Sequence, residues 1–170
     1  MILKSERLIL KRPEIKDVDE ILKIHNSEYV QRYNAMKLHS REDMLKEIIN
    51  TCKSAYYLQL PDSKQIIGAV FMRKDQLRYQ VNAICLSYYL DENYQGQGYM
   101  YEVLKLVIKE LFDQGIEVVS ARTFASNTAS KELLIKLGFV LEGHLRRAVK
   151  GYQGIIYDDL LFSLLKDDNG

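Results

Sequence analysis

The chain changes hydrophobic period several times along its length. "ERLILKR" near the start alternates apolar and polar residues as a half-buried strand does. "DVDEILKIHN" then puts Val18, Ile21 and Leu22 on one helical face, with Asp17 as N-cap. "SREDMLKEIINTCKS" opens on Ser40, carries an acid at Asp43 as in a capping box, and sets Met44, Leu45, Ile48 and Ile49 at helical spacing. "NSEYVQRYN" between these two helices reads as loop. "AYYLQL" and "IIGAVFMR", joined through Pro61 and Asp62, read as a hairpin-like pair, and "QVNAICLSYYL" as a long buried strand. Tyr99, Met100, Val103, Leu104, Val107, Ile108, Leu111 and Phe112 form a helical stripe that stops near Gly115. "EVVSARTF" is a further strand, "ASNTASKELLIKLGF" a short helix stopped at Gly138, and "VLEGHLRRAV" and "IIYDDLLFSLL" two strands joined by "KGYQG". The pattern predicts about seven strands and four helices, α/β or α+β, in a mixed and mainly antiparallel sheet with one strand–helix–strand crossover.

Composition narrows the picture without pointing to a partner. At 170 residues, 47% hydrophobic and 28% charged, the chain is expected to be one domain over 1–170. Twenty-four basic residues against twenty-three acidic ones leave a net charge of +1, which gives no global field toward nucleic acid or an anionic membrane. Two cysteines, Cys52 and Cys85, form no CxxC pattern, so neither a disulfide framework nor a thiolate metal site is indicated and a cytoplasmic location is expected. No signal peptide or membrane span is read from "MILKSERLILKRPE".

The strongest chemical signal lies in "YYLDENYQGQGYMYEVL", where Gly96 and Gly98 stand between a strand and a helix. The first turn of a helix has backbone N–H groups without intrahelical partners and the positive end of the macrodipole, so it can bind an anion by main chain alone. A tight connection with no ligand is the other reading of an isolated GxG. A dinucleotide fingerprint is disfavoured because Tyr101 stands where its third glycine or alanine belongs, and a P-loop because Gly-Lys-Ser/Thr is absent.

"YQGQGYMYE" ahead of a long amphipathic helix resembles the Q/R-x-x-G-x-G/A pyrophosphate loop of the GNAT superfamily of acyl-CoA-dependent N-acyltransferases, with Met100 where Gly or Ala is usual. "ERLILKR", "IIGAVFM", "ASNTASKELLIKLGFVLEGHLRRA" and "YDDLLFSLL" follow that family's order and spacing, and the whole is similar to the ribosomal-protein N-terminal acetyltransferase branch. The resemblance implies acetyl-CoA as cosubstrate and a central pair of splayed parallel strands, "ICLSYYL" and "EVVSARTF". It implies that Tyr88, Tyr89 and Leu90 line the pantetheine, that Gln95, Gly96, Gln97, Gly98, Tyr99 and Met100 hold the pyrophosphate, and that Asn127 lies beside the pantetheine. Ser130, the serine of N-x-x-S, is implied near the sulfur, as hydrogen-bond partner or proton donor to the leaving thiolate. From the residues alone, the tyrosines also read as core, Asn127 as the N-cap of the next helix and Ser130 as a first-turn residue.

Two positions depart from the family. Leu134 stands where many members have a general-acid tyrosine, and Cys85 where relatives often have a glutamate. A buried thiol is most simply a small hydrophobe with a raised pKa, so a water chain, a residue from "NSEYVQRYN" or no base at all remain open. His25, His39 and His144 are isolated in sequence, and no metal site is expected. Tyr157, Asp158 and Asp159 read as groove lining or as partners of Arg146, Arg147 or Lys150 across the last hairpin. The implied reaction is acetyl transfer to a primary amine, first a protein or peptide N-terminus. Polyamine or aminoglycoside acceptors, and a catalytically weak acetyl-CoA sensor, are the alternatives. The acceptor loops carry no transferable code, and monomer and homodimer are equally open.

Overall fold

In the computed structural model, which describes residues 2–169, the alternating segments become one eight-stranded sheet. Its strands are β1 (Leu3–Lys4), β2 (Ile9–Lys11), β3 (Ala55–Gln59), β4 (Ile66–Lys74), β5 (Ala83–Leu90), β6 (Val118–Phe124), β7 (Val140–Lys150) and β8 (Ile156–Leu165). They lie in the order β1-β2-β3-β4-β5-β6-β8-β7. The β5–β6 pair is parallel, and β1–β2, β2–β3, β3–β4, β6–β8 and β7–β8 are antiparallel. Five α-helices intervene: α1 (Val18–His25), α2 (Glu28–Tyr33), α3 (Arg41–Thr51), α4 (Tyr99–Asp113) and α5 (Thr128–Lys136). The mixed class and the β5–α4–β6 crossover are as expected. The short edge strand β1 and the helix α2 exceed the expected counts. Six-residue α2 escapes periodicity because it is too short to repeat a face; Ser27 starts it by accepting from the Val30 N–H. No described helix is long and apolar enough to cross a membrane.

The chain forms two compact units, Met1–Phe71 with Tyr88–Val103, and Met72–Ser87 with Leu104–Gly170. In the first, Val18, Ile21 and Ile24 of α1 and Met44 and Ile48 of α3 pack with Ala55, Tyr57, Ile66, Ala69, Phe71 and Tyr89. The capping box of α3 is present, with the Ser40 side chain accepting from Asp43 N–H and Asp43 accepting from Ser40 N–H. Asp17 departs from expectation. It stands ahead of α1 but makes no side-chain cap bond; it is 4% exposed, and both of its oxygens take Lys11 Nζ at 2.8 Å. Its Oδ2 also accepts from the Glu14 N–H at 2.9 Å, closing a capping box around the single 3-10 turn Ile15–Asp17, so the capping falls one turn upstream while 7%-exposed Lys11 balances the buried charge.

In the second unit β6 is central, with Val118, Val119, Ala121 and Phe124 buried, and Leu104, Val107, Ile108, Leu111 and Phe112 of α4 also buried. The helix stripe read from the sequence is thus the buried face. Helices α4 and α5 end where the glycines predict. Ile116 N–H reaches back to Leu111 O and Phe139 N–H to Leu134 O, both at 3.0 Å, as in Schellman closures. β7 and β8 form the expected hairpin, offset twice in register.

Candidate active site

The loop singled out in the sequence is built in the first unit at the end of β5. Asp91 N–H donates to Ile67 O at 2.7 Å, the Asp91 carboxylate accepts from Asn93 N–H, and Gln95 Nε2 donates to Leu90 O at 3.0 Å. Gly96 and Gly98 hold φ of 72° and 81°, left-handed values that side chains disfavour. A Cβ built on Gly96 would meet nothing within 4 Å. The bond from Glu102 N–H to Gly98 O opens α4, so Tyr99 and Met100 have no carbonyl one turn behind them for their N–H groups. The loop therefore offers amides and the positive end of a fifteen-residue helix to an anion. Met100, the departure from the family motif, is 8% exposed. Burial takes its side chain into the interior rather than over the loop.

Arg7, which no local pattern in the sequence marks, is part of this device. Its backbone N–H and Nε donate to the two carboxylate oxygens of Glu102, each at 2.7 Å, its Nη1 donates to Gln97 O at 2.9 Å, and its guanidinium lies 4.4 Å over the Tyr99 ring. The Gln97 carbonyl and the Gly98 N–H share one trans peptide plane and point opposite ways. Holding that carbonyl fixes the direction of the Gly98 N–H. Burial raises the Glu102 carboxyl, but hydrogen bonds from Ser5 and Arg7, with the Arg7 charge, outweigh it and hold the group below its ordinary value.

β5 supplies a second element. Its parallel register with β6 runs from Ala83–Val118 to Leu86–Ala121 and stops there, whereas β6 pairs with β8 through Phe124. Ser87 to Leu90 therefore continue past the last β6 partner. Tyr89 and Leu90 are 5% and 6% exposed, and Tyr89 packs against Phe71 and His25 with centroids 5.9 and 6.1 Å away. The core reading of Tyr89 thus holds, and burial pushes its phenol pKa well up. Tyr88 is half-buried.

In the second unit Asn127 caps α5, its Oδ1 accepting from Ser130 N–H at 3.2 Å. Ser130 is half-buried in the first turn. Leu134 is fully buried. Cys85 is half-buried, and its thiol is pushed up by burial, with the Asp75 charge adding to that against a hydrogen bond to Ser120. Asp75 was not read from the sequence. It is 4% exposed and accepts from Ser120 Oγ at 2.8 Å, Leu77 N–H at 2.8 Å and Arg78 Nη1 at 2.6 Å. Arg78 also grips Glu142, which takes a hydrogen bond from Ser163. A carboxylate anchored in this way is the one whose charge reaches Cys85.

Two expectations change. Asp158 accepts from the Arg147 backbone N–H at 2.8 Å and pairs with His144 at 2.7 Å, while Asp159 pairs with Arg122 of β6 at 2.6 Å. Asp158 thus meets Arg147 across the hairpin as expected, through the backbone and with the Arg146 charge adding to it, whereas Asp159 turns to Arg122: β6–β8 register sets Thr123 and Phe124 against Leu160 and Asp159, which brings Arg122 within reach. Not all the histidines are isolated. His25 and His39 lie with ring centroids 4.0 Å apart and planes tilted by 49°, and His39 Nε2 lies 3.0 Å from Glu47 Oε2. Only folding brings the end of α1 and the approach to α3 together, so no sequence spacing could show it.

Residues 7–140 match the family model "Acetyltransferase (GNAT) domain". The chain belongs to the GNAT acetyltransferase family. Among GNAT relatives it is similar to the uncharacterized N-acetyltransferase YoaA of Bacillus subtilis (strain 168), 27% identical over 97% of both chains. It is also similar to the [ribosomal protein uS5]-alanine N-acetyltransferase of Escherichia coli (strain K12), 34% identical over 55% of this chain and 49% of that one. Among solved structures, the ribosomal-protein-S5-alanine acetyltransferase of Vibrio fischeri shares the fold with a TM-score of 0.86 at 22% identity, over 99% of this chain and 98% of that one. RimL, a ribosomal L7/L12 alpha-N-protein acetyltransferase in complex with coenzyme A, does so with 0.84 at 20% identity over 99% of both. The GNAT match contains both the glycine loop and the Asn127–Ser130 turn.

Proposed function

We propose that the chain transfers the acetyl group of acetyl-CoA to a primary amine, with the α-amine of a protein or peptide N-terminus as acceptor. The observation that supports this most is the loop at Gly96–Met100, a set of outward amides at the head of α4 with Arg7 fixing one peptide plane. In this reading the amides and helix dipole hold the pyrophosphate, with Gln95 and Gln97 shaping the loop and Tyr99 held beneath Arg7. Tyr88, Tyr89 and Leu90 offer strand backbone to the pantetheine, joined by the Asn127 amide. Bound acetyl-CoA supplies an activated thioester carbonyl. Backbone N–H groups of β5 stabilise charge developing on the carbonyl oxygen, and the Ser130 hydroxyl hydrogen-bonds the departing sulfur.

The chemistry at residue 85 supports an α-amine acceptor. A thiol raised by burial, as at Cys85, is neutral at pH 7 and is a poor base. An α-amine, with a reference pKa near ~8 against ~10.4 for lysine, needs little help to lose its proton. An N-terminal acceptor, as named for the uS5-alanine relative, fits a site without a carboxylate at residue 85.

Thiol release from acetyl-CoA, measured with N-terminal peptides, polyamines and aminoglycosides, tests this reading. Turnover is expected with peptides first, and Ser130→Ala is expected to lower kcat at least about tenfold, the low end of what a positioned proton donor contributes being ~100-fold. Undiminished kcat in Ser130→Ala removes Ser130 from the chemistry. Preference for polyamines or aminoglycosides would move the acceptor to small amines, and tight acetyl-CoA binding without any turnover would make the chain a sensor.

A further inference from the structure

One polar cluster in the first unit is given no role in the proposed acetyl transfer. His25, at the end of α1, is 1% exposed; His39 lies just ahead of α3 and Glu47 within it, with side chains 22% and 18% exposed. The Lys37 carbonyl stands 2.8 Å from His25 Nε2 and 3.0 Å from His39 Nδ1. A carbonyl only accepts, so both of those nitrogens carry hydrogen. In neutral rings this leaves His25 Nδ1 and His39 Nε2 as lone-pair nitrogens. His39 Nε2 then faces Glu47 Oε2 at 3.0 Å, lone pair against carboxylate, a contact that is attractive only with positive charge between the two.

A proton on His39 answers that contact alone and leaves a second observation unaddressed. His25 Nδ1 and the hydroxyls of Tyr57 and Tyr89 are buried and have no hydrogen-bond partner among the described residues. The charge of Glu47 reaches all three side chains. Buried polar atoms nearly always find partners, so three orphans within reach of one carboxylate's charge point to a bound group. A divalent cation answers both observations. It takes the lone pairs of the two rings and a Glu47 oxygen, and a water on the cation serves the phenols.

The cluster is also shaped in advance. One donor atom from each of His25, His39 and Glu47 lies within 4.8 Å of the others. Ligands about 2.0–2.2 Å from zinc in a tetrahedron lie roughly 3.3 Å apart, so closure needs movement on the order of 1 Å from the two half-buried side chains. The Lys37 carbonyl, which fixes both tautomers, is the kind of outer partner that metal-bound histidines use. Asn26 clamps the His39 backbone from both sides, its Nδ2 donating to His39 O at 2.8 Å and its Oδ1 accepting from His39 N–H at 2.9 Å.

We propose that His25, His39 and Glu47 form a structural site for a first-row divalent metal ion of the zinc class, tying the end of α1 to the start and middle of α3. Two imidazoles and one carboxylate suit Zn²⁺ or Co²⁺ and are poorly matched to Mg²⁺ or Ca²⁺. The test uses the tag-free full chain, stripped with chelator and titrated with Co²⁺, following the visible bands of a tetrahedral ion and their loss on adding Zn²⁺. One equivalent per chain is expected, with melting temperature raised by Zn²⁺. Glu47→Gln and His39→Gln, both at half-exposed positions, are expected to weaken binding at least about tenfold, since even outer partners contribute 10–100-fold. The proposal is overturned if no saturable Co²⁺ binding occurs, or if both variants bind as the unaltered chain does; His39 is then an imidazolium paired with Glu47. Binding is read without acetyl-CoA, so the outcome is independent of the acyl-transfer assay.

Discussion

A methyl group added at Gly68 would stand 2.5 Å from the Tyr89 carbonyl oxygen and 3.1 Å from Leu90 Cα, inside contact distance of backbone that cannot rotate away. β5 would have to shift at the residues proposed to meet the pantetheine. Gly68→Ala is therefore expected to cost about 1–3 kcal/mol, the usual cost of overpacking, and to lower kcat/KM for acetyl-CoA. Chemical denaturation together with steady-state rates checks it; an unchanged unfolding midpoint would show that β4 and β5 have slack here. Residues of this kind were unevenly legible. Gly96 and Gly98 could be read because left-handed backbone favours one residue type. Gly68 could not, since its constraint comes from a neighbouring strand and leaves no mark on its own sequence context. The meeting of His25 with His39 is illegible for the same reason.

At the scale of elements, α4 shows how a helix end becomes a site. Its stripe from Met100 to Phe112 buries one face and fixes its axis, and Arg7, from the turn before β2, fixes the loop ahead of it. Arg7→Gln removes the charged contact to Glu102 and the hold on Gln97. The KM for acetyl-CoA is expected to rise about tenfold, with kcat less affected. A fall in kcat alone would place Arg7 elsewhere in the mechanism. The helix boundaries themselves were largely legible, because the Ser40–Asp43 capping box and the glycines after α4 and α5 act within one turn of chain. Asp17 was not, because its carboxylate caps the short 3-10 turn ahead of α1 and pairs with buried Lys11.

At the scale of the whole molecule, buried charge sets the response to pH. Burial alone would raise the Asp75 carboxyl, but donors from Leu77, Ser120 and Arg78, together with the Arg78 charge, bring it below its ordinary 3.8. A carboxyl lowered on folding contributes stability that is present above its unfolded pKa and lost as pH falls through the folded one. The chain is therefore expected to weaken on acidification from about pH 5 to about pH 3, and Asp75→Asn to be less stable at neutral pH with a shallower loss over that window. Urea midpoints at several pH values decide it, and parallel curves for the two proteins would remove Asp75 as the cause.

The sequence by itself determined the element order, the mixed sheet with its β5–α4–β6 crossover, and the glycine loop. Each of these is written in patterns of a few neighbouring residues: alternation, helical spacing, caps and left-handed turns. Tertiary structure alone decided which side chains meet across the chain: Arg7 with Gln97 and Glu102, Asp75 with Ser120, His25 with His39 and Glu47. Such pairings depend on strand order and helix packing, which bring distant segments together through burial of apolar surface and leave the polar atoms caught there to find one another.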